Sequence, residues 1–172
     1  LVVFLVTAPR SWQCEGVDEV EYLSLAHSLN SGLGYTQYGE PHVYYPPLYP
    51  LVIAPLMSGP DFPWKSVSLL NALFGWTALV LAAAWLRRGG ANSDRAASWF
   101  LVSSYFGWSF STRFLMAEPL YLLLVVLALG LFRRQTSETR IPVRGLLMTL
   151  TLVLLATAAK TAAISLGAAL AF

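Results

Sequence analysis

The chain has 172 residues, 56% hydrophobic and 12% charged, with a mean hydropathy of +0.59 and a formal net charge of +2. An ordinary soluble domain is about 25% charged, so this composition belongs with polytopic membrane proteins. The small net charge, with no basic run interleaved with aromatics, excludes nucleic acid as a partner, and a lone Cys14 excludes an internal disulfide or a cysteine metal cluster.

The chain opens at Leu1 inside an apolar run that continues to Ala8, and a second run, Ile164 to Phe172, closes it. Both ends read as cut, so the expectation is an N-terminal fragment of a longer membrane protein, with residues 1–9 the end of a first span. The tail of a signal-peptide hydrophobic region is the alternative for residues 1–8.

Residues 10–65 form a long polar loop. Within it, Tyr22, Leu25, Ala26 and Leu29 recur at i, i+3, i+4 and i+7, which predicts an amphipathic helix over Asp18 to Leu29. Glu21, Ser24 and Ser28 form its wet face, and Asn30, Gly32 and Gly34 end it. A helix of this kind is suited to lie in the membrane interface, apolar face down. Asp18 falls on the apolar stripe and Glu19 borders it. The helix N-terminus favours carboxylates there by a few tenths to about 1 kcal/mol, so both acids are accounted for either as helix starters or as working groups.

The Gly/Pro/Tyr-rich stretch 31–50 reads as a structured loop from Gly32, Gly34 and Pro41. Its end, Tyr44-Tyr45-Pro46-Pro47-Leu48-Tyr49-Pro50, is no regular helix and presents three tyrosines at interface depth. It reads either as the lining of a groove for a lipid phosphate or sugar, or as a proline-led lead-in to a helical segment, Leu51 to Met57, with ordinary aromatic anchoring. The six Trp and eight Tyr suit interfacial belts. His27 and His42 stand alone without a second ligand at metal spacing and read as structural; His42, in the loop before Pro46, is also retained as a substrate-binding candidate.

Further spans follow at 66–86, 96–112, 114–132 and 145–172, the last either one tilted helix or a helix broken near Lys160. Residues 87–95 hold Arg87, Arg88 and Arg95, and residues 133–145 hold Arg133, Arg134, Arg140 and Arg144, together seven of the eleven basic residues. The positive-inside rule makes that side cytoplasmic. The long loop, with Glu15, Asp18, Glu19, Glu21, Glu40 and Asp61, then lies outside, as do Arg113, Glu118 and Lys160. Three distant parts of the sequence thus bring charged groups to one face.

A charge well inside a span costs about 2.5–3.5 kcal/mol on insertion scales and marks a functional site by default. Glu118 answers that description, or else it is an interfacial first-turn acid before Pro119, paired with Arg113. Lys160 either binds an anion or snorkels to the headgroups.

Taken together, Asp18-Glu19 with Tyr22, Gly32-Leu33-Gly34-Tyr35, Pro46-Pro47-Leu48, Glu118 and Leu155-Ala-Thr-Ala-Ala-Lys160 resemble the GT-C integral membrane glycosyltransferases. The likeness is to their dolichyl-phosphate-mannose protein mannosyltransferase and aminoarabinose lipid A transferase branch, and it covers nearly the whole chain. Two positions depart from that pattern: Tyr45 stands where related bacterial enzymes often have a basic residue, and Glu21 where they often have Arg.

The resemblance implies an all-α, polytopic transmembrane helix bundle with a long external first loop carrying the amphipathic juxtamembrane helix. It implies an enzyme that transfers a sugar from a polyprenyl-phosphate donor to an acceptor hydroxyl on a lipid, glycan or protein, with inversion, at the external membrane face. Asp18 would be the general base. Glu19 and Glu118 would orient the acceptor, the sugar or Asp18. Lys160 and Arg113 are the candidates to hold the lipid phosphate, with Tyr45, Tyr22 and His42 as further substrate-binding residues. Such a leaving group demands no metal, and no cofactor is expected; a divalent cation between clustered carboxylates is compatible with the chemistry, but nothing in the sequence supports one. The rivals are a transporter or channel subunit, with charged groups lining a path at mid-depth, and a non-catalytic membrane scaffold.

Overall fold

The computed structural model describes residues 17–59, 63–88, 95, 115–136 and 142–160. These residues are mostly helical. The first element, α1 (Val17–Asn30), occupies the predicted place. It ends because Gly32 takes φ +75°. The Gly32 N–H then bonds the Leu29 carbonyl, and the Leu33 N–H bonds that of Ser28, at 3.1 and 3.0 Å. This is a Schellman closure, which satisfies carbonyls the helix end would otherwise leave open.

A short hairpin follows, β1 (Thr36–Gln37) against β2 (Glu40–Pro41), with Thr36 opposite Pro41 and Gln37 opposite Glu40. Its two turn residues, Tyr38 and Gly39, both take positive φ (53° and 86°), as a tight hairpin turn of this hand requires. The hairpin changes the surface of α1. Ser28, expected in water, is buried, and its hydroxyl lies 2.7 Å from that of Thr36. Glu21, expected to point away, accepts a hydrogen bond from Gln37. The apolar face of α1 packs on protein, against α2 (Leu48–Ile53) and the 3-10 turn Ala54–Met57 that continues it. The interface-lying helix of the sequence reading is therefore replaced by a helix docked on the loop that follows it.

That loop becomes helical three residues earlier than expected, directly after Pro47. Pro47 and Pro50 lie at the helix start, where the missing N–H costs nothing. Pro55 then withholds the next α-type bond, and the chain tightens into a 3-10 turn.

Three long helices carry this layer: α3 (Trp64–Arg88), α4 (Glu118–Thr136) and α5 (Val143–Ala159). Among the described residues, α3 is the one helix long and apolar enough to cross a membrane. At 1.5 Å per residue it spans about 37 Å, against about 30 Å of hydrocarbon. α4 packs between α3 and α5. Asn71 of α3 contacts Met116 just before α4, and Arg133 of α4 lies 5.2 Å over the Trp85 ring of α3, so α3 and α4 run parallel. α5 runs antiparallel to α4, with Lys160 beside Glu118 at one end and Thr149 beside Gln135 toward the other. Arg87, Arg88, Arg133, Arg134 and Arg144 thus gather at one end of the bundle and Glu118 and Lys160 at the opposite end.

The faces between these helices hold small side chains: Ala72 and Ala78 on α3, Ala128 on α4, and Gly145, Ala156 and Ala159 on α5. A Cβ on Gly145 would stand 2.8 Å from the Gln135 side chain, so α4 and α5 touch closely there. The outward faces carry the large apolar groups, including Leu73, Val80, Leu122, Leu147 and Leu154. Small side chains at these contacts let the helix backbones approach closely.

The main core lies at the Glu118 end, where Tyr22, Leu23 and Ala26 of α1 meet Tyr49, Ile53, Met57, Val67, Leu115, Leu120, Leu124 and Ala156. The expected spans at 1–9 and 96–112, Arg113, and the part of the expected last span from 161 to 172 lie outside the described residues.

Candidate functional site

Among the described residues, the chemistry-bearing side chains named from sequence lie where α1 meets the start of α4 and the end of α5. Four segments contribute: the first turn of α1, the loop 42–49, the residues 115–118 and the end of α5.

Asp18, in the first turn of α1, is exposed rather than on the buried stripe. Its Oδ1 accepts a 2.6 Å hydrogen bond from the Tyr45 hydroxyl. This bond comes first among the causes that push the Tyr45 phenol up to about 12, followed by burial and by the negative charges of Asp18 and Glu21. The Tyr45 backbone is fixed in turn: its N–H donates to His42 Nε2 at 3.0 Å, and its carbonyl accepts from the Tyr35 hydroxyl at 2.8 Å. The His42 ring stacks on that of Tyr45, 5.5 Å between centroids and 11° between planes. His42 therefore holds Tyr45 in place, which supports the structural alternative for this residue.

Tyr22 is buried edge-on between Tyr45 and Tyr49, at 5.0 and 5.1 Å. Burial first, and then the negative charges of Glu118 and Asp18, hold its phenol well above the ordinary range. Tyr22 thus lies within electrostatic reach of both carboxylates.

Glu19 is the interior member of the Asp18-Glu19 pair, 2% exposed. Its carboxylate accepts from the Leu115 N–H at 2.8 Å, across 96 residues of sequence. Residues 19, 22, 23 and 26 share one side of the helix at 3.6 residues per turn, and that side faces the core. The expected stripe is buried, with Tyr22, Leu25 and Ala26 in the interior and Leu29 packed against the core, and Glu19 and Leu23 widen it on one side.

Glu118 is the first residue of α4 and Pro119 the second, where proline is tolerated. The Glu118 carboxylate pairs with the Lys160 ammonium, each side chain 37% exposed. Lys160 stands just beyond α5 in an extended conformation (φ −155°, ψ 131°), so of the two sequence alternatives α5 ends here instead of running through.

No protein-family model, curated protein or solved structure matches this chain. Its functional reading therefore rests on its own residues.

One participant escaped the sequence reading. Asn71, in the middle of an apolar stretch of α3, is fully buried. It accepts from the Tyr49 hydroxyl at 3.1 Å and donates to the Met116 carbonyl at 3.3 Å. The signal was present: an amide inside a predicted span must find partners within the protein. Among the described residues no group of three His, Cys, Asp or Glu side chains is placed to hold a metal ion.

The arrangement offers a solvent-facing carboxylate already engaged by a hydroxyl, a second carboxylate paired with a cation, and a wall of tyrosine rings.

Proposed function

We propose that this chain carries the catalytic face of an integral membrane glycosyltransferase of GT-C type, a multi-pass bundle whose site lies at the external membrane surface. The observation that carries the reading is that two pairs, Asp18 with Tyr45 and Glu118 with Lys160, both lie near Tyr22 at the end of the bundle opposite Arg87, Arg88, Arg133, Arg134 and Arg144. With the arginine end cytoplasmic by the positive-inside rule, the carboxylates lie outside.

In this reading Asp18 takes the proton of an acceptor hydroxyl as its oxygen attacks the anomeric carbon of a polyprenyl-phosphate sugar. The bond from that carbon to the phosphate oxygen breaks, and the lipid phosphate leaves with the electron pair. The Tyr45 hydroxyl, 2.6 Å from Asp18, occupies the place an acceptor hydroxyl would take. Lys160 supplies the positive charge that the leaving phosphate needs. Glu118 holds Lys160 until then and is left free to bond the sugar. Tyr22 and Tyr45 present apolar ring surface beside the acids.

The positions of Glu118 at the start of α4 and Lys160 at the end of α5 favour surface chemistry over a transport path at mid-depth. The test is transfer of labelled sugar from a polyprenyl-phosphate donor by the full-length protein. Asp18→Asn, which keeps an acceptor oxygen but loses the base, is expected to lower kcat by about 100-fold or more. Undiminished transfer by this variant overturns the base assignment, and no transfer by the wild type overturns the reaction.

A further inference from the structure

Two buried side chains from separate elements grip the three residues that lead into α4. Glu19 of α1 accepts from the Leu115 N–H at 2.8 Å, and Asn71 of α3 donates to the Met116 carbonyl at 3.3 Å. The next backbone group along, the Ala117 carbonyl, already belongs to the helix and accepts from the Tyr121 N–H. The Leu115 and Met116 groups precede the helix, so tertiary partners must satisfy them. Asn71 is itself oriented by the Tyr49 hydroxyl. Directly after the gripped residues comes Glu118, whose carboxylate reaches Lys160.

We propose that Glu19 and Asn71 are positioning residues that together set where Glu118 stands, and that Glu19 acts through its acceptor oxygen, not through its charge. Three observations support this. Glu19 is 2% exposed, so no substrate approaches it as it approaches Asp18 or Glu118. Its Oε1 accepts from a backbone N–H, a bond that a neutral carbonyl oxygen in the same place can also make. The two grips act on adjacent residues from opposite elements, and fixing both a donor and an acceptor in a three-residue link leaves the following helix start little freedom of direction.

The assignment rests on the site proposed above, but its geometry is readable without any assay of sugar transfer. A water-soluble carbodiimide joins a carboxylate to an ammonium in contact with it, forming an amide with loss of water and leaving no spacer. Applied to the full-length protein in detergent, it is expected to give a Glu118–Lys160 cross-link, identified by mass spectrometry of the joined peptides. Glu19→Gln is expected to keep the yield within about twofold, while Glu19→Ala and Asn71→Leu each lower it about tenfold, as loss of a buried hydrogen bond implies. A wild-type yield in Glu19→Ala overturns the positioning role. A yield in Glu19→Gln as low as in Glu19→Ala overturns the acceptor argument and returns the carboxylate charge as the operative feature. If Glu19→Ala does not fold, Glu19→Gln carries the test by itself: a folded protein with the wild-type yield supports the proposal and a low yield overturns it. Measured in the transfer assay, Asn71→Leu should lower kcat more than it raises KM. A wild type that cross-links but transfers nothing would end the reaction reading and leave the positioning assignment standing.

Discussion

The hydroxyl of Tyr45 donates a 2.6 Å hydrogen bond to the carboxylate of Asp18, 27 residues earlier in the chain. It is the contact that ties the proline-rich loop to the first turn of α1. A phenol satisfies the carboxylate without adding a charge. In the proposed reaction the cation for the anionic leaving group is then Lys160.

The strength of that contact is open to titration. The Tyr45 phenol is held up to about 12 with the Asp18 bond as the leading cause. In Asp18→Asn the negative charge is gone, so the phenol should titrate back toward its ordinary value of about 10. Ultraviolet difference absorbance of tyrosinate, compared with a Tyr45→Phe reference, checks this. An unchanged titration in Asp18→Asn would mean that the bond does not persist in solution.

The same phenols predict a loss of stability in alkali. Tyr22, Tyr35, Tyr45 and Tyr49 all have raised values, Tyr35 and Tyr45 to about 12, with burial the leading cause except at Tyr45. The folded form keeps these protons at a pH where the unfolded chain has lost them. The stabilisation is therefore complete below pH about 10 and falls as pH rises through about 12. Thermal unfolding of the full-length protein should move to lower temperature across that window and stay flat from pH 8 to 9.

Tyr49→Phe isolates the buried amide. It leaves the ring packing intact but deprives Asn71 Oδ1 of its donor in the interior. A cost of about 1–3 kcal/mol is expected from such an unsatisfied group, seen as a lowered Tm. A Tm equal to wild type would show that Asn71 finds another donor.

Gly145→Leu tests the contact between α4 and α5. Even a Cβ meets the Gln135 side chain at 2.8 Å, and Gln135 is tied to the Thr149 hydroxyl at 3.1 Å. Forcing a large side chain there should cost about 1–3 kcal/mol or more. Gly145→Ala should cost less, because the end of Gln135 can give way. Equal stability of the Leu variant and the wild type in detergent would contradict the close approach.

Lys160→Met removes the ammonium and keeps most of the stem. If Lys160 meets the lipid phosphate, the KM for the polyprenyl-phosphate donor should rise about tenfold, in line with about 1.5–3 kcal/mol for a hydrogen bond to a charged group. The KM for the acceptor should move little. Equal effects on both substrates would indicate a general disturbance of the site.

Much of the helical layout was legible in the chain. Apolar length and flanking arginines located Trp64–Arg88, and the helix after Glu118-Pro119 appeared within a few residues of its expected place. The spacing of Tyr22, Leu25 and Ala26 located α1. The hairpin was not legible, because two-residue strands give no periodicity and the turn uses Tyr38 at positive φ, where glycine or asparagine would have given a signal.

The sequence alone determined that this chain is apolar and helical, that its basic residues concentrate in two short loops, and that Asp18, Glu19, Glu118 and Lys160 belong to one side. Those properties follow from composition, helical period and charge, which are local or additive. Tertiary structure decided which of the paired acids faces solvent. Asp18 and Glu19 are adjacent and chemically alike, and a helix turns 100° between them. Docking of α1 on the loop behind it then placed Asp18 against the Tyr45 hydroxyl and Glu19 against the Leu115 N–H. That choice depends on a rotation fixed by packing across 96 residues, which no local pattern encodes.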